Sequence, residues 1–143
     1  MTEADLAKIT GRPLLLYDGV CALCNGTVRF VLKRDAKGLF RFAALQSDVA
    51  RELLDDEAVA LDGVVLVATA LTPEQRIYRR SDAVVESLNL LGWRGLSKAL
   101  RLMPRVLREA GYGAVARLRY RLFGRYVVCP LPPVETRGRF VGL

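Results

Sequence analysis

The stretch Tyr17-Asp18-Gly19-Val20-Cys21-Ala22-Leu23-Cys24 contains two cysteines separated by two residues. The apolar run that leads into it, Leu14 to Tyr17, is typical of a short buried strand. From Cys24 to Arg34 apolar residues recur at helical spacing, which predicts a helix beginning near Cys24. Two thiols on one helical turn can close a disulfide, and a helix N-terminus favours the thiolate over the thiol. The stretch therefore predicts a redox site at a strand-to-helix junction.

Outward from this motif, the hydrophobic pattern predicts an α/β fold. Residues 39–44 alternate like a strand, so the two strands and the helix between them form a βαβ unit with parallel strands. A helix with Ser47 as its N-cap, a buried strand over Val64–Ala68 and an antiparallel strand over Arg76–Arg79 follow. The next helix has Ser81 as its predicted N-cap. This order is that of a thioredoxin-like domain, in which helices flank a central mixed sheet.

The last third of the chain is basic and is predicted to be helical. Residues 94–143 carry 11 Lys and Arg against two acidic residues, and the net charge of the whole chain is +7. Apolar stripes there predict a helix that begins at Pro104 and is interrupted at 111–113, then a further segment that ends at Gly124. We therefore expect one domain over residues 1–143, with a thioredoxin-like core over 12–91 and a basic helical C-terminal extension over 94–143 packed on it.

Composition and length exclude several classes of protein. With 143 residues and 52% hydrophobic residues, the chain has enough apolar material for a core and does not resemble a disordered chain. Three cysteines do not make a disulfide scaffold, the first residues lack the apolar segment of a signal peptide, and the run Val64 to Leu71 is too short to cross a bilayer. These features predict a soluble, cytoplasmic protein whose thiols rest in the reduced state.

Metal binding is a less favoured role for the cysteine pair than redox chemistry. A structural zinc site needs about four ligands, and an iron–sulfur cluster usually needs four cysteines. This chain has no His and one further cysteine, Cys129, so we expect no metal and no resident cofactor. Two alternatives stay open: the pair is inert and buried, as free cysteines often are, and Cys129 either serves as a third redox thiol or simply packs.

The motif and several segments beyond it resemble a known family. The sequence Asp18-Gly19-Val20-Cys21-Ala22-Leu23-Cys24 resembles the D-G-x-C-x-x-C signature of the DCC family of thiol-disulfide oxidoreductases. The resemblance extends over roughly residues 12 to 142 and includes Arg41-Phe42-Ala43-Ala44-Leu45-Gln46-Ser47, Ser81-Asp82-Ala83-Val84, Met103-Pro104-Arg105, Tyr112, Arg117 to Gly124, and Cys129-Pro130. It implies a thioredoxin-like fold and thiol–disulfide exchange.

Three residues of the motif have predicted catalytic roles in such an exchange. Cys21 is the candidate nucleophile, expected at the first helical turn and more exposed than Cys24, which would be the resolving thiol. Asp18 either accepts a proton from Cys24 or hydrogen-bonds the backbone N–H groups of the turn. A carboxylate beside Cys21 would also oppose formation of its thiolate.

A second candidate site lies where the helix at Ser81 follows a strand. In glutaredoxins and glutathione transferases a similar Ser-x-Ala element holds the γ-glutamyl carboxylate of glutathione, and helix N-termini bind anions through free N–H groups. Ser81, Asp82 and the adjacent Arg80 are therefore candidates to bind glutathione as a co-substrate. The alternative is that Ser81 is an ordinary N-cap.

One position departs from the thioredoxin-like pattern. Such proteins usually carry a cis-proline just before the third strand, whereas this chain has Asp62-Gly63-Val64 there. A cis bond without proline is costly, so we expect a trans peptide. The departure weakens the case for a general protein disulfide reductase and shifts the expected partner toward a small, anionic thiol or disulfide.

The main alternative to an enzyme is a binding module. The basic helices over 96–123 would bind an anionic polymer or a membrane surface, and the cysteines would be incidental. Nucleic acid is disfavoured because the aromatic residues of this part are predicted to lie on or near the core rather than to stack on bases: Trp93, Tyr112, Tyr120, Phe123 and Tyr126. A non-redox glutathione transferase, which would need Ser81 but not Cys24, is a third reading.

Overall fold

A computed structural model describes residues 2–54, 64–125 and 132–142 of the chain. The helices and strands within these ranges are, in chain order, α1 (Glu3–Ile9), β1 (Leu14–Tyr17), α2 (Ala22–Arg34), β2 (Arg41–Ala44), α3 (Asp48–Leu53), β3 (Val64–Ala68), β4 (Arg76–Arg79), α4 (Ser81–Leu90), α5 (Arg94–Leu102), α6 (Arg105–Phe123) and a 3-10 helix over Val134–Arg139.

The strands form one mixed sheet in the order β2-β1-β3-β4. Strands β1 and β2 are parallel, which confirms the predicted βαβ unit, while β3 runs antiparallel to both β1 and β4. A parallel pair needs a long connection, and α2 supplies it. A mixed sheet flanked by helices is the thioredoxin-like α/β fold that the sequence predicts.

Alternate side chains of β1 divide the core between the two faces of the sheet. Leu14 and Leu16 pack with α1 and α3 on one face. Leu15 and Tyr17 pack on the other face with α2, α4 and α6, in the same cluster as both cysteines of the motif. The candidate site therefore lies between the sheet and the helices α2 and α6.

Two helix starts differ from the sequence prediction. Helix α2 begins at Ala22, two residues before the predicted start, with Cys21 as its N-cap. Helix α1 is not predicted at all, although Thr2 and Asp5 form a capping box at its start. It has seven residues and buries only Ile9, so it is too short to repeat the apolar period on which the prediction of helices rests.

The predicted interruption at 111–113 is wrong, because α6 runs without a break from Arg105 to Phe123. Gly113 is buried, and a Cβ atom there would lie 3.1 Å from Nη2 of Arg80. The glycine thus allows α6 to approach the residue before α4 rather than ending the helix. The predicted stop at Gly124 is confirmed, since Gly124 is the C-cap.

The prediction that the aromatic residues of the C-terminal third lie in the core is correct for only some of them. Tyr112 and Tyr120 pack against the core cluster. Trp93 and Phe123 are exposed, although Trp93 packs edge-to-face against Phe30 of α2. Tyr126 lies outside the described residues, as do Cys129, Asp62 and Gly63.

The remaining expectations concern domains and membranes. The division into a core over 12–91 and an extension over 94–143 stays a prediction, although α6 reaches the core through Arg119 and Tyr112. In the ranges that the structure covers, none of the helices combines the length and the apolar character needed to span a bilayer.

Candidate active site

The turn before α2 is fixed by side chains from outside the turn. Asp18 Oδ1 accepts hydrogen bonds from the backbone N–H of Val20 at 3.2 Å and from Gln46 Nε2 at 2.8 Å. The side-chain oxygen of Gln46 in turn accepts from the backbone N–H of Gly19 at 3.1 Å. Asn25 Nδ2 donates to the Gly19 carbonyl at 2.8 Å. The turn is therefore held in one conformation before any substrate arrives.

The second oxygen of Asp18 binds two side chains of α6. Oδ2 accepts from the Arg119 guanidinium at 3.3 Å and from the Tyr120 hydroxyl. Asp18 is fully buried and the Arg119 side chain is 7% exposed, so this is a buried ion pair. Burial and the hydrogen bond to Asp18 raise the pKa of Tyr120, so its hydroxyl stays a donor at neutral pH.

The two thiols are both buried, which contradicts the prediction that Cys21 is the more exposed. Cys21 is 0% exposed and Cys24 is 5% exposed. The segment after α6 covers Cys21: Ala22 N–H donates to the Gly124 carbonyl at 3.3 Å, and Arg125 forms an isolated β-bridge with Cys21. This contact spans about a hundred residues, so the local pattern around the motif could not predict it.

The surroundings of Cys24 keep its thiol protonated. Burial raises the pKa of Cys24 to about 12, and the hydrogen bond to Cys21 and the charge on Cys21 contribute to the rise. The Arg119 guanidinium and the backbone N–H of Asp18 act in the opposite direction. Cys21 Sγ accepts a hydrogen bond from the backbone N–H of Cys24 at 3.4 Å. Cys21 is thus the N-cap of α2, and its sulfur accepts from the first turn of the helix.

The carboxylate of Asp18 is bound by four donors: the Val20 N–H, Gln46, Arg119 and Tyr120. This arrangement fits the predicted role in shaping the turn, and it adds the positioning of Arg119 near Cys24. Transfer of a proton from Cys24 to Asp18 stays a prediction.

A cavity of about 280 Å³ opens beside Cys24, between α2, α4, α6 and the start of β3. Cys24 is in its wall, whereas Cys21 is not. Most of the other lining residues are apolar, and the full set is Leu23, Cys24, Thr27, Val64, Val84, Gly111, Tyr112, Val115, Ala116 and Arg119. A molecule that enters this cavity therefore meets the pair from the side of Cys24.

The second predicted site has a different cap from the one expected. Ser81 is the first residue of α4, and the N-cap is Arg80, whose φ is 54° and whose side chain makes no capping hydrogen bond. The prediction of Ser81 as N-cap is wrong because its hydroxyl donates to the carboxylate of Glu109, in α6. Arg80 Nε donates to the same carboxylate at 2.8 Å.

The charged groups predicted to bind glutathione are therefore already bound within the chain. Asp82 forms ion pairs with Arg105 at 3.1 Å and with Arg108 at 2.7 Å. Burial opposes ionisation of Glu109, but the hydrogen bonds from Ser81 and Arg80 outweigh it and hold the pKa of Glu109 below its ordinary value. The structure thus brings Cys21, Cys24 and Asp18 together and places Ser81, Asp82 and Arg80 in a separate charged cluster between α4 and α6.

Several residues of both clusters are absent from the predicted site. The segments that carry the family resemblance include Gln46, Arg119 and Tyr120, so the resemblance could have pointed to these residues. Glu109 is one of two acidic residues in the basic last third, and an isolated acid among cations is a signal for an internal ion pair. Tyr112 is also part of that resemblance, but its contact with Val64 depends on how α6 packs.

The described residues bring together no group of three or more His, Cys, Asp or Glu side chains that could hold a metal ion. The predicted third thiol, Cys129, lies outside these residues. What the structure does assemble is a pair of thiols, a buried ion pair beside them and a cavity.

A family model described as DCC1-like thiol-disulfide oxidoreductase matches residues 15–125. The chain belongs to this family. The match includes both cysteines, Arg119 and the Ser81 cluster, so the DCC family resemblance read from the sequence is confirmed over most of the fold.

Two relatives support the same conclusion. The uncharacterized protein YuxK of Bacillus subtilis (strain 168) is 34% identical over 130 residues, which cover 90% of this chain and 93% of YuxK. The chloroplastic DCC family protein At1g52590 of Arabidopsis thaliana is 38% identical over 122 residues, which cover 84% of this chain and 70% of the plant protein. No solved structure matches the chain.

Proposed function

We propose that this DCC family member exchanges thiols and disulfides through Cys21 and Cys24. The family is one of thiol-disulfide oxidoreductases. The observation that carries the proposal is the difference between the two thiols. Cys21 caps the N-terminus of α2, whereas burial raises the pKa of the Cys24 thiol to about 12. An inert pair needs neither the helix cap nor a buried cation nearby.

The exchange takes place in two steps. The Cys21 thiolate attacks one sulfur of a substrate disulfide, so that a mixed disulfide forms and the other half of the substrate leaves as a thiolate. Cys24 then gives up its proton and attacks the Cys21 sulfur, which expels the second half as a thiolate. The substrate gains two electrons and ends as two thiols once protons are taken up, and the protein ends with a Cys21–Cys24 disulfide.

The charges around Cys24 favour this order of events. In the mixed disulfide, Cys21 carries no charge, so one cause of the raised pKa of Cys24 disappears. The Arg119 guanidinium and the Asp18 N–H, which lower the pKa of Cys24, stay in place. Cys24 therefore becomes easier to deprotonate at the step that needs its thiolate.

The substrate is proposed to be a small thiol or disulfide rather than an extended protein segment. The backbone N–H of Val64, at the start of β3, donates to the Tyr112 hydroxyl at 3.1 Å. A substrate chain that paired with this strand end would have to displace that bond. Since Cys21 is covered, a small substrate would reach the pair through the cavity beside Cys24.

Glutathione is proposed only as a co-substrate, and its binding at Ser81 would require existing hydrogen bonds to break. If its γ-glutamyl carboxylate binds at Ser81 and Arg80, it must first displace the carboxylate of Glu109. A monothiol or dithiol of other chemistry could return the disulfide to the thiol state without meeting this cluster.

The test uses Cys21→Ser, Cys24→Ser and the double variant with 2-hydroxyethyl disulfide as substrate. We expect the wild-type protein to lose both thiols without dimerising, and both single variants to lose turnover. Cys24→Ser should retain a mixed disulfide on Cys21 that mass spectrometry detects. Turnover that survives in Cys21→Ser would falsify the proposal.

A second candidate function has an observation of its own. Leu118 and Leu122 are exposed on α6 and alternate with the exposed Arg117 and Arg121. Exposed apolar side chains between cations are typical of helices that lie on an anionic membrane surface. We therefore propose an anionic lipid surface, rather than nucleic acid, as the partner of this basic apolar face, defined by these four residues.

A further inference from the structure

We propose that the cavity beside Cys24 binds an uncharged apolar group of the substrate, so that the preferred substrates are small disulfides with an aliphatic or aromatic substituent. This inference rests on the proposed exchange reaction and names its substrate class. The substrate class expected from the sequence was instead a small anionic thiol.

The walls of the cavity favour an apolar occupant. Leu23, Val84, Val115 and Ala116 present only hydrocarbon, and they surround a wall that includes the Cys24 thiol. Burial of hydrocarbon against such walls is favourable in proportion to the area removed from water. A substrate whose apolar group fills the cavity therefore holds its sulfur beside the pair.

The polar side chains of the wall already have partners within the chain. The Arg119 guanidinium pairs with Asp18, the Tyr112 hydroxyl accepts from the Val64 N–H, and the Thr27 hydroxyl donates to the Leu23 carbonyl at 3.0 Å. A charged group that entered would lose its water shell against walls that are mostly hydrocarbon, which is costly. The cavity thus selects against charged substrates.

The surface around the entrance is also apolar. Gly111 and Val115 line the cavity, and they continue a stripe of α6 that begins at Leu107 and includes Leu118 and Leu122. The spacing of these five residues places them on one side of the helix, and the leucines and Val115 are exposed. The α6 side of the cavity therefore continues into an apolar stripe on the surface of the helix.

The volume limits the size of the group. At about 280 Å³ the cavity lies at the lower end of the range of ligand pockets, which is about 300–1,000 Å³. It suits a short alkyl chain or a single ring. Each methylene group that enters it fully is expected to improve binding by about fourfold.

The test measures how fast methanethiosulfonates of different side groups modify the protein. In this reaction the thiolate attacks the thiol sulfur of the reagent, a mixed disulfide forms and methanesulfinate leaves. The side groups are butyl, benzyl, 2-hydroxyethyl and 2-sulfonatoethyl, and each rate is divided by the rate of the same reagent with free cysteine. We expect the butyl and benzyl reagents to react at least tenfold faster than the hydroxyethyl and sulfonatoethyl reagents.

Two variants of α6 form a matched pair for this test. Ala116→Phe fills the cavity and is expected to remove the preference for apolar groups, whereas Ala114→Phe, at an exposed position that does not line the cavity, is expected to retain it. Val115→Phe narrows the half-exposed entrance and serves as the second variant if Ala116→Phe does not fold. Equal normalised rates for all four reagents, or an unchanged preference in the folded cavity variants, would overturn the inference.

This outcome is distinct from failure of the proposed function. If the reagents show no preference while Cys21→Ser still abolishes turnover of 2-hydroxyethyl disulfide, the exchange reaction stands and only the apolar substrate class is wrong. If turnover survives in Cys21→Ser, the exchange reaction itself is wrong, whatever the preference of the reagents.

Discussion

Arg119 is the residue that connects α6 to the chemistry of the pair. Its guanidinium is almost fully buried, pairs with Asp18 and lowers the pKa of Cys24. The sequence predicts Cys21, Cys24 and Asp18 as site residues because they lie within one short motif. Charge and spacing do not single out Arg119, which is one of 11 cations in the last third and meets the pair only because α6 packs beside the turn.

We predict that Arg119→Gln slows the second step of exchange. Without the cation the pKa of Cys24 rises, so at neutral pH a smaller fraction of Cys24 is thiolate and the mixed disulfide on Cys21 should decay about tenfold more slowly. The difference should shrink as the pH rises toward the pKa of Cys24, because a growing fraction of this thiol is then ionised in both proteins. The decay is measured by mass spectrometry of acid-quenched samples over a range of pH.

Arg117→Gln is the control for this experiment, because Arg117 is exposed on the same helix and does not line the cavity. The comparison is made only where circular dichroism shows that both variants are folded, since loss of one partner of a buried ion pair can cost about 3–5 kcal/mol of stability. A slower decay that is equal at every pH would show that Arg119 does not act through the proton of Cys24.

Helix α4 illustrates how one helix can be capped by another. Local sequence predicts Ser81 as its N-cap, yet the chain places Arg80 there with a positive φ, and Glu109 of α6 accepts from both residues. The existence and extent of the helix follow from its own apolar period. Its cap does not, because the carboxylate comes from a helix that is distant in the sequence. The same packing explains why Gly113 lies within α6 rather than ending it.

We predict that Glu109→Gln lowers the free energy of unfolding by about 1 kcal/mol, because it removes the negative charge that the Arg80 and Ser81 side chains bind. Equilibrium unfolding in urea measures this loss, and Glu135→Gln is the control, since Glu135 is exposed in the 3-10 helix. The variant also tests the glutathione site. A lower KM for glutathione disulfide but not for 2-hydroxyethyl disulfide would show that Ser81 and Arg80, once released, bind a substrate carboxylate.

The order and direction of the strands can be predicted from the sequence, whereas the exposure of the apolar residues of the last third cannot. Short strands with clear apolar patterns fix the mixed sheet, because the βαβ unit and the antiparallel return leave few alternatives. The apolar period of the last third predicts residues that pack on the core. In the structure Leu102, Val106 and Leu122 are 79%, 80% and 67% exposed, and no local pattern distinguishes an apolar stripe that is covered from one that is not.

We predict that the basic apolar face binds vesicles that contain anionic lipid. Co-sedimentation should show binding to vesicles of phosphatidylglycerol and phosphatidylcholine, weaker binding to phosphatidylcholine alone, and weakening by salt. The double variant Leu118→Gln, Leu122→Gln should lose most of the binding. The double variant Leu39→Gln, Ile77→Gln changes two exposed aliphatic side chains that lie outside α6. This variant should retain the binding to vesicles.

Two results would contradict this prediction. Equal binding of both double variants would mean that the leucines of α6 do not contact the lipid. Salt-sensitive binding to a single-stranded oligonucleotide, with no binding to anionic vesicles, would mean that the arginines of this face bind nucleic acid instead.

The pairing of Phe42 with Phe140 has a consequence for how the chain is made. Strand β2 lies at the edge of the sheet, and its outer side is covered by Phe140 and by Val141, whose N–H donates to the Phe42 carbonyl at 2.9 Å. The ribosome adds these residues about a hundred positions after β2, which takes several seconds at about 5–20 residues per second. During that interval the edge of β2 is uncovered, so a nascent chain is open to strand pairing with its neighbours until Phe140 and Val141 emerge.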